Sequence, residues 1–438
     1  MRTYALVLIL AATLPGAAAA QETVLEARAA AARENRRDAA AQSAYGHALL
    51  RAGQYREATR AFQAAARLQR RSAEALYDVA RVAFAQGDYR AAQRLCRPVE
   101  RIERDATIAR VCRARAFLVW NRSARAFEEL EAALQASPND YEALLALGDA
   151  HRLRMDVSEA EGAYRRAAQA KPTSAEPHLG LGRLYAAASR RDEAVRALRR
   201  GLELDSGSPE VVYELGRLLG GSAEARDLLG RAVAGRSNWA EAQVALGDAL
   251  LAAGDHAAAE QAFTRAIALN ARLADAHAGL GRAKTAQGQH EEAEAALQRA
   301  LELVPNSPGT VLALAALYEA TERPERAFEQ YRHAADLDPQ NPRALLAAAR
   351  LALRLERDVL AAGFLDRVLA ARPNNAAALA LYGDAMVARR NRNAARDYYQ
   401  RALRGEGEID RARVQRALRE LGGAQPRRQR QARPRPRR

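Results

Sequence analysis

One alanine recurs through this chain at a fixed step. Ala58, Ala92, Ala126, Ala160 and Ala194 stand 34 residues apart, Ala225 follows after 31, and Ala259, Ala293, Ala327, Ala361 and Ala395 resume the step of 34. Alanine is common here, so a single match carries little weight. Eleven in register, with neighbouring positions keeping the same step, do not arise by chance. Such a period is that of stacked helical hairpins, each burying its apolar face only against the next. A single closed core is excluded, and the functional question becomes which surface binds what.

With the alanine numbered as position 20, other positions repeat too. Position 8 is always Gly or Ala, from Gly46 and Ala80 to Ala349 and Gly383. Position 27 is small or β-branched, as in Ala65, Val99 and Gly201. Position 24 is large and apolar, as in Phe62, Tyr164 and Tyr399, with Cys96 the exception. Antiparallel helices approach to about 8–10 Å only where facing side chains are small. Positions 8, 20 and 27 supply that, and position 24 is the knob that fills the remaining space.

The turns agree with this register. Pro138, Pro172, Pro305, Pro339 and Pro373 fall at position 32, where a helix must stop. Ser72, Asp140, Ser174, Ser208, Ser307, Asn341 and Asn375 fall at position 34, where the next helix needs an N-cap. Gly53, Gly87, Gly254 and Gly288 sit at position 15, between the two helices of a repeat.

This pattern resembles the tetratricopeptide repeat over residues 39–409. The resemblance implies an all-α fold, a right-handed superhelical solenoid of about eleven hairpins with capping helices at both ends. Repeats one to five span 39–208, a shortened repeat six spans 209–239, and repeats seven to eleven span 240–409. Repeat six lost its three residues around Gly220-Gly221, which is expected either to alter the local twist and hinge the array or to be a silent turn deletion. The family's large aromatic at position 4 is mostly absent, with Leu76, Leu144, His178, Val212 and Leu345 in its place.

The ends read differently. Arg2, the apolar run Ala5–Leu14 and the small residues Ala18-Ala19-Ala20 make 1–20 a secretory signal peptide, cut after Ala20. The run is too short to span a bilayer, which takes about 20 residues, so no transmembrane segment is expected in the mature chain. No cysteine lies near the cut, which excludes a lipid anchor through one. The expected location is periplasmic or secreted. Residues 22–38 read as an N-terminal capping helix, and 410–423 as a C-terminal one that covers the apolar face of the last repeat.

Cys96 and Cys112 are the only cysteines. Cys96 falls on the second helix of repeat two and Cys112 on the first helix of repeat three, each about 12 Å from the turn near residue 104. They stand level on one hairpin, which in an oxidising compartment points to a disulfide. The alternative is that Cys96 is only the buried knob of its repeat.

The net charge is +15, unevenly spread. Residues 424–438 hold seven arginines and no acid, and without them and Arg2 the remainder is +7. With Pro426, Pro434 and Pro436 the tail cannot bury anything. Outside the cytoplasm its polyanionic contacts would be acidic polysaccharide or an anionic membrane surface, and no nucleic acid is expected.

The family resemblance implies that the first helix of each repeat lines a concave groove that binds protein or peptide partners. Position 9 of that helix reads His47, Arg81, Arg115, Asp149, Arg183, Arg217, Asp248, Arg282, Ala316, Arg350 and Asp384. Tyr77, Phe84 and Tyr213 add apolar anchors. Position 2 is often acidic (Glu74, Glu142, Glu176, Glu210, Glu241, Asp275). Two readings follow: an arginine track for acidic peptide or polymer, since guanidinium grips carboxylate bidentately, or a face whose own acids neutralise it.

No catalytic spacing emerges. The seven histidines are scattered, and His290-Glu291 has no second histidine at metalloprotease spacing. Gly180-Leu181-Gly182 and Gly279-Leu280-Gly281 begin like dinucleotide loops but lie at packing position 8. The chain reads as a non-enzymatic exported scaffold with no metal and no cofactor. Polyanion binding through groove arginines and tail is the alternative.

Overall fold

The computed structural model describes residues 16–102 and 106–422. The chain divides into two compact units, one up to Ala271 and one from Arg272. The described part of the first comprises α1 (Gly16–Glu34), α2 (Ala39–Arg51), α3 (Tyr55–Leu68), α4 (Ala73–Gln86), α5 (Tyr89–Ile102), α6 (Thr107–Val119), α7 (Ser123–Ala136), α8 (Tyr141–Arg154), α9 (Val157–Ala170), α10 (Glu176–Ala187), α11 (Arg191–Leu204), α12 (Pro209–Leu219), α13 (Ala223–Gly235), α14 (Ala240–Ala252) and α15 (His256–Leu269). The second comprises α16 (Ala274–Ala286), α17 (His290–Leu303), α18 (Pro308–Ala320), α19 (Pro324–Leu337), α20 (Pro342–Arg354), α21 (Asp358–Ala371), α22 (Ala376–Ala388), α23 (Arg392–Arg404) and α24 (Arg411–Gly422). From α2 to α23, each even-numbered helix is the first (A) of a repeat and each odd-numbered one the second (B). The architecture is an all-α repeat solenoid.

The period is a packing device. All eleven position-20 alanines have 0% exposure. A Cβ added to Gly148 would lie 2.6 Å from the Tyr164 ring, one on Gly383 2.3 Å from Tyr399, and one on Gly182 2.4 Å from Leu198. Position 8 of each A helix is therefore the hole into which position 24 of its B helix inserts. The glycine costs helix propensity but permits that contact.

All seven expected N-cap residues accept a backbone N–H of the first helical turn: Ser72, Asp140, Ser174, Ser208, Ser307, Asn341 and Asn375. Ser174 differs. The helix starts one residue later, at Glu176, and Ser174 Oγ lies 2.8 Å from the Tyr141 hydroxyl of the preceding repeat. Position 15 is left-handed in ten repeats, as glycine at Gly53, Gly87, Gly254 and Gly288 and as Asn121, Met155, Ser189, Glu322, Glu356 and Arg390 elsewhere.

Repeat six lacks that position. Its helices α12 and α13 are joined by Gly220-Gly221-Ser222, with Gly220 at φ 66° and ψ −132° and Ser222 capping α13. Gly221 packs so closely on Ala252 that a Cβ would lie 2.7 Å from it. The chain's division falls at 271–272, not at repeat six. The deletion is absorbed by this glycine turn, and α13 packs onward against α14.

Both ends are covered. In the first unit α1 buries Ala29 and Ala32, and Leu25 packs with Leu49 and Phe62. It stops at Glu34, short of residue 38, because Asp38 leaves the helix to cap α2 through the Ala40 N–H at 2.8 Å. In the second unit α24 buries Val414 and lays Ala417, Leu418 and Leu421 on the cluster around Leu379 and Tyr399. Of the expected leader, 16–20 form the first turns of α1 and 1–15 lie outside the described residues, as does the arginine tail 424–438. No described helix is long and apolar enough to cross a membrane.

In the first unit successive A helices touch one another: α2 with α4, α4 with α6, α6 with α8, α8 with α10, α10 with α12 and α12 with α14. They form the inside of its curve.

Candidate binding groove

Across α4, α6, α8 and α10 of the first unit runs a connected charged network. Arg81 Nη1 pairs with Glu142 Oε1 at 3.1 Å, and its Nη2 reaches Glu176 Oε1 at 3.4 Å. Arg115 Nη2 meets Glu142 Oε2 at 3.3 Å, and its Nη1 lies 3.7 Å from Asp149. The Tyr77 hydroxyl donates to Glu142 Oε2 at 2.9 Å, and that of Tyr141 to Glu176 Oε2 at 2.8 Å. Asp149 accepts from the Tyr164 hydroxyl at 2.8 Å. Glu142 is thus the hub for two guanidiniums and one phenol.

Burial pushes the Glu142 carboxyl up, but Arg115, Arg81 and the Tyr77 hydroxyl outweigh it and hold it below the usual carboxylate range. Burial holds the Tyr77 phenol well above its ordinary value, with Glu142 adding to the shift against Arg115 and Arg81. The face neutralises itself where the acids are, as the acidic position-2 residues allow.

A second relationship links position 9 of one repeat to position 6 of the next. His47 Nε2 lies 3.5 Å from Asp78 Oδ2, and Arg183 Nε donates to Glu214 Oε1 at 2.8 Å. Arg217 Nη2 takes the other Glu214 oxygen at 3.1 Å. Around this carboxylate lies a cavity of about 530 Å³, lined by Arg152, Arg183, Arg217, Glu214, Ala186, Ala187 and Leu218. Three guanidiniums surround one carboxylate there, so positive charge exceeds negative by two among the lining residues. Arg152 is shared outward, with Nε on the Tyr164 hydroxyl at 3.3 Å and Nη2 3.7 Å from Asp149.

Tyr77 is 3% exposed and its ring lies 6.0 Å from that of Phe84, which is half-buried. Tyr213 stands against Trp239 with ring centroids 4.4 Å apart. Asp248 lies on α14, also in the first unit. Arg282, Arg350 and Asp384 belong to the second unit, on α16, α20 and α22. There Arg350 pairs with Glu319 at 2.7 Å, and Asp384 accepts from Tyr399 at 2.7 Å and pairs with Arg413 of the capping helix at 3.0 Å.

Cys96 of α5 and Cys112 of α6 are disulfide-bonded, with Cα atoms 5.6 Å apart and both side chains buried. The bridge ties repeat two to repeat three behind the groove. Among the described residues no group of histidine, cysteine and carboxylate side chains is arranged to hold a metal ion.

Sequence reasoning missed Glu214, although a signal was present. Position 6 is small or apolar in nine repeats, and only Asp78 and Glu214 are acidic there. It also missed Tyr141, whose hydroxyl joins Ser174 and Glu176 across the turn.

Profiles of the tetratricopeptide repeat match residues 49–114, 113–175, 155–215, 219–272, 244–308 and 308–351. No curated protein matches the chain. Among solved structures, yeast Tom70 is 13% identical, with a TM-score of 0.46 over 89% of this chain and 96% of its own. A thermophilic TPR protein of Thermus thermophilus is 27% identical, with a TM-score of 0.38 over 41% of this chain and 100% of its own. YrrB, described as a TPR protein with an unusual peptide-binding site, is 21% identical, with a TM-score of 0.34 over 44% of this chain and 97% of its own.

Proposed function

We propose that this chain, which belongs to the tetratricopeptide repeat family, is an exported non-catalytic scaffold that binds a protein partner along the concave face of its first unit. The observation that carries this reading is the cavity on α8, α10 and α12. There Arg183 and Arg217 share the single carboxylate of Glu214, while Arg81, Arg115 and Arg152 are matched by Glu142, Glu176 and Asp149. A partner segment that brings a carboxylate satisfies guanidinium donors left over by Glu214. Ala186, Ala187 and Leu218 offer apolar wall for the neighbouring part of that segment.

Export is supported by Arg2, the apolar run Ala5–Leu14 and the small residues before Gln21. The Cys96–Cys112 bridge accords with an oxidising compartment.

The test is quantitative co-purification from envelope fractions. The Arg183→Ala/Arg217→Ala protein should lose partners that the intact chain retains. The outer-face pair Arg165→Ala/Arg200→Ala should retain them. Equal recovery by both pairs would count against the groove.

A second reading, binding to acidic polysaccharide or an anionic membrane surface, rests on the seven arginines of 424–438. Pairing of the groove arginines leaves that tail as its principal support. Such binding weakens steeply with salt, whereas a contact anchored by apolar groups does so much less.

A further inference from the structure

We propose that the first unit carries a clasp that regulates its groove: the first repeat locks onto the turns of repeats five to seven, and a partner reaches the concave face from the side only when this lock opens. The proposal rests on the concave face being the binding surface.

The clasp joins residues far apart in sequence. Arg236, in the turn between α13 and α14, donates from Nη2 to the Tyr55 hydroxyl at the start of α3, 181 residues away. Its guanidinium lies over the Tyr55 ring, 5.3 Å from the centroid, and over the Trp239 ring at 4.8 Å. Asn238 Nδ2 donates to the Gly53 carbonyl at 3.0 Å. Arg51 pairs with Asp205, in the turn between α11 and α12, at 3.4 Å. Helix α1 packs on α13.

The topology gives these contacts their meaning. Gly53 and Tyr55 lie on the edge formed by turns within repeats. Asp205, Arg236 and Asn238 lie on the opposite edge, formed by turns between repeats. Opposite edges of a solenoid meet only where its curve has completed a circuit. The contact therefore closes the lateral slot into the concave face, where Arg152, Arg183 and Arg217 lie.

The joint is built to close and also to open. Gly53 has φ 69°, and a Cβ there would lie 2.7 Å from both Arg236 Nε and Asn238 Oδ1. Gly87, Gly254 and Gly288 occupy the same repeat position with no atom within 4 Å of an added Cβ. Of these four glycines, only Gly53 is thus required for close approach as well as for its turn. The contacts across the joint are chiefly polar, and Arg236 Nε is buried there with no hydrogen-bond partner. That unpaired donor penalises the closed state.

The test needs no partner. Ala187 is exposed and lines the cavity, and with the two native cysteines bonded to each other an Ala187→Cys thiol is the only free one. Its labelling by N-ethylmaleimide is compared with that by a bulky maleimide–polyethylene glycol. In the full chain the bulky reagent should be selectively slow. Gly53→Ala, and separately Arg236→Ala/Asn238→Ala, should raise its rate relative to the small reagent by about tenfold or more, the open state being minor in the native chain. Gly87→Ala, which carries the same turn strain, should leave the ratio unchanged.

Spin labels at Arg56→Cys and Ser237→Cys should report one short distance in the full chain and a longer one in the clasp variants. Circular dichroism identifies any variant that has lost helix. An unchanged labelling ratio together with unchanged distances in folded clasp variants would overturn the proposal. Failure of groove variants to release a partner would instead refute the binding assignment, and would leave these measurements as they stand.

Discussion

Arg81 of repeat two reaches past repeat three to Glu142 of repeat four, at 3.1 Å, although 61 residues separate them. Such a contact exists because the A helices line the inside of a curve, where side chains from non-adjacent repeats converge. It also assigns two of the six repeating arginines. Arg81 and Arg115 are structural cations held by Glu142, Glu176 and Asp149, not an open anion track. The surplus of arginine lies further along, around Glu214.

Glu142→Gln should destabilise the first unit by about 2 kcal/mol, since it leaves two guanidiniums short of their shared carboxylate. The folded-state pKa of Glu142 is depressed below its ordinary 4.5. Its contribution is therefore complete above the unfolded value and is lost as pH falls through the folded value. Thermal melts of the native chain should show an acid-side decline below about pH 4.5 that is shallower in Glu142→Gln. Parallel declines in both proteins would remove Glu142 as its source.

Two glycine substitutions should act in opposite directions. Gly148→Ala drives a methyl to 2.6 Å from the buried Tyr164 ring and should cost about 1–3 kcal/mol. Gly230→Ala meets no atom within 4 Å inside α13 and should gain about 0.5–1 kcal/mol of helix stability. Thermal midpoints measured on the full chain check both signs.

Breaking the Cys96–Cys112 bond, which closes a loop with sequence separation 16, should cost the first unit about 3 kcal/mol. Dithiothreitol or Cys96→Ala/Cys112→Ala should lower the transition of that unit and leave the second unit's transition in place. Intact mass of exported protein under non-reducing conditions should be two hydrogen atoms lighter than that of the reduced chain. Two free thiols there would show the bond is not formed.

The fold was legible because each repeat states the same local rule. Small residues at positions 8 and 20 and a knob at 24 specify one hairpin, and eleven statements of that rule specify the stack. Position 34 was nearly as informative, and only at Ser174 does the helix start one residue later than the register gives. The charge network was half legible: Glu142 and Glu176 stood out as acids near helix N-termini, but which arginine each would hold depends on curvature. The clasp was not legible at all. The Tyr55–Arg236 contact arises from small rotations summed over many repeats, and no period in the sequence encodes their total.

The most direct measurement is site-specific photo-crosslinking in cells. A photoreactive residue is placed at Ala187 or Leu218 on the concave face, or at Arg165 or Arg200 on the outer helices. The account predicts partner adducts from Ala187 and Leu218 that vanish in Arg183→Ala/Arg217→Ala, with none of those adducts from Arg165 or Arg200. The same adducts from the outer positions, or adducts indifferent to loss of the two arginines, would contradict it.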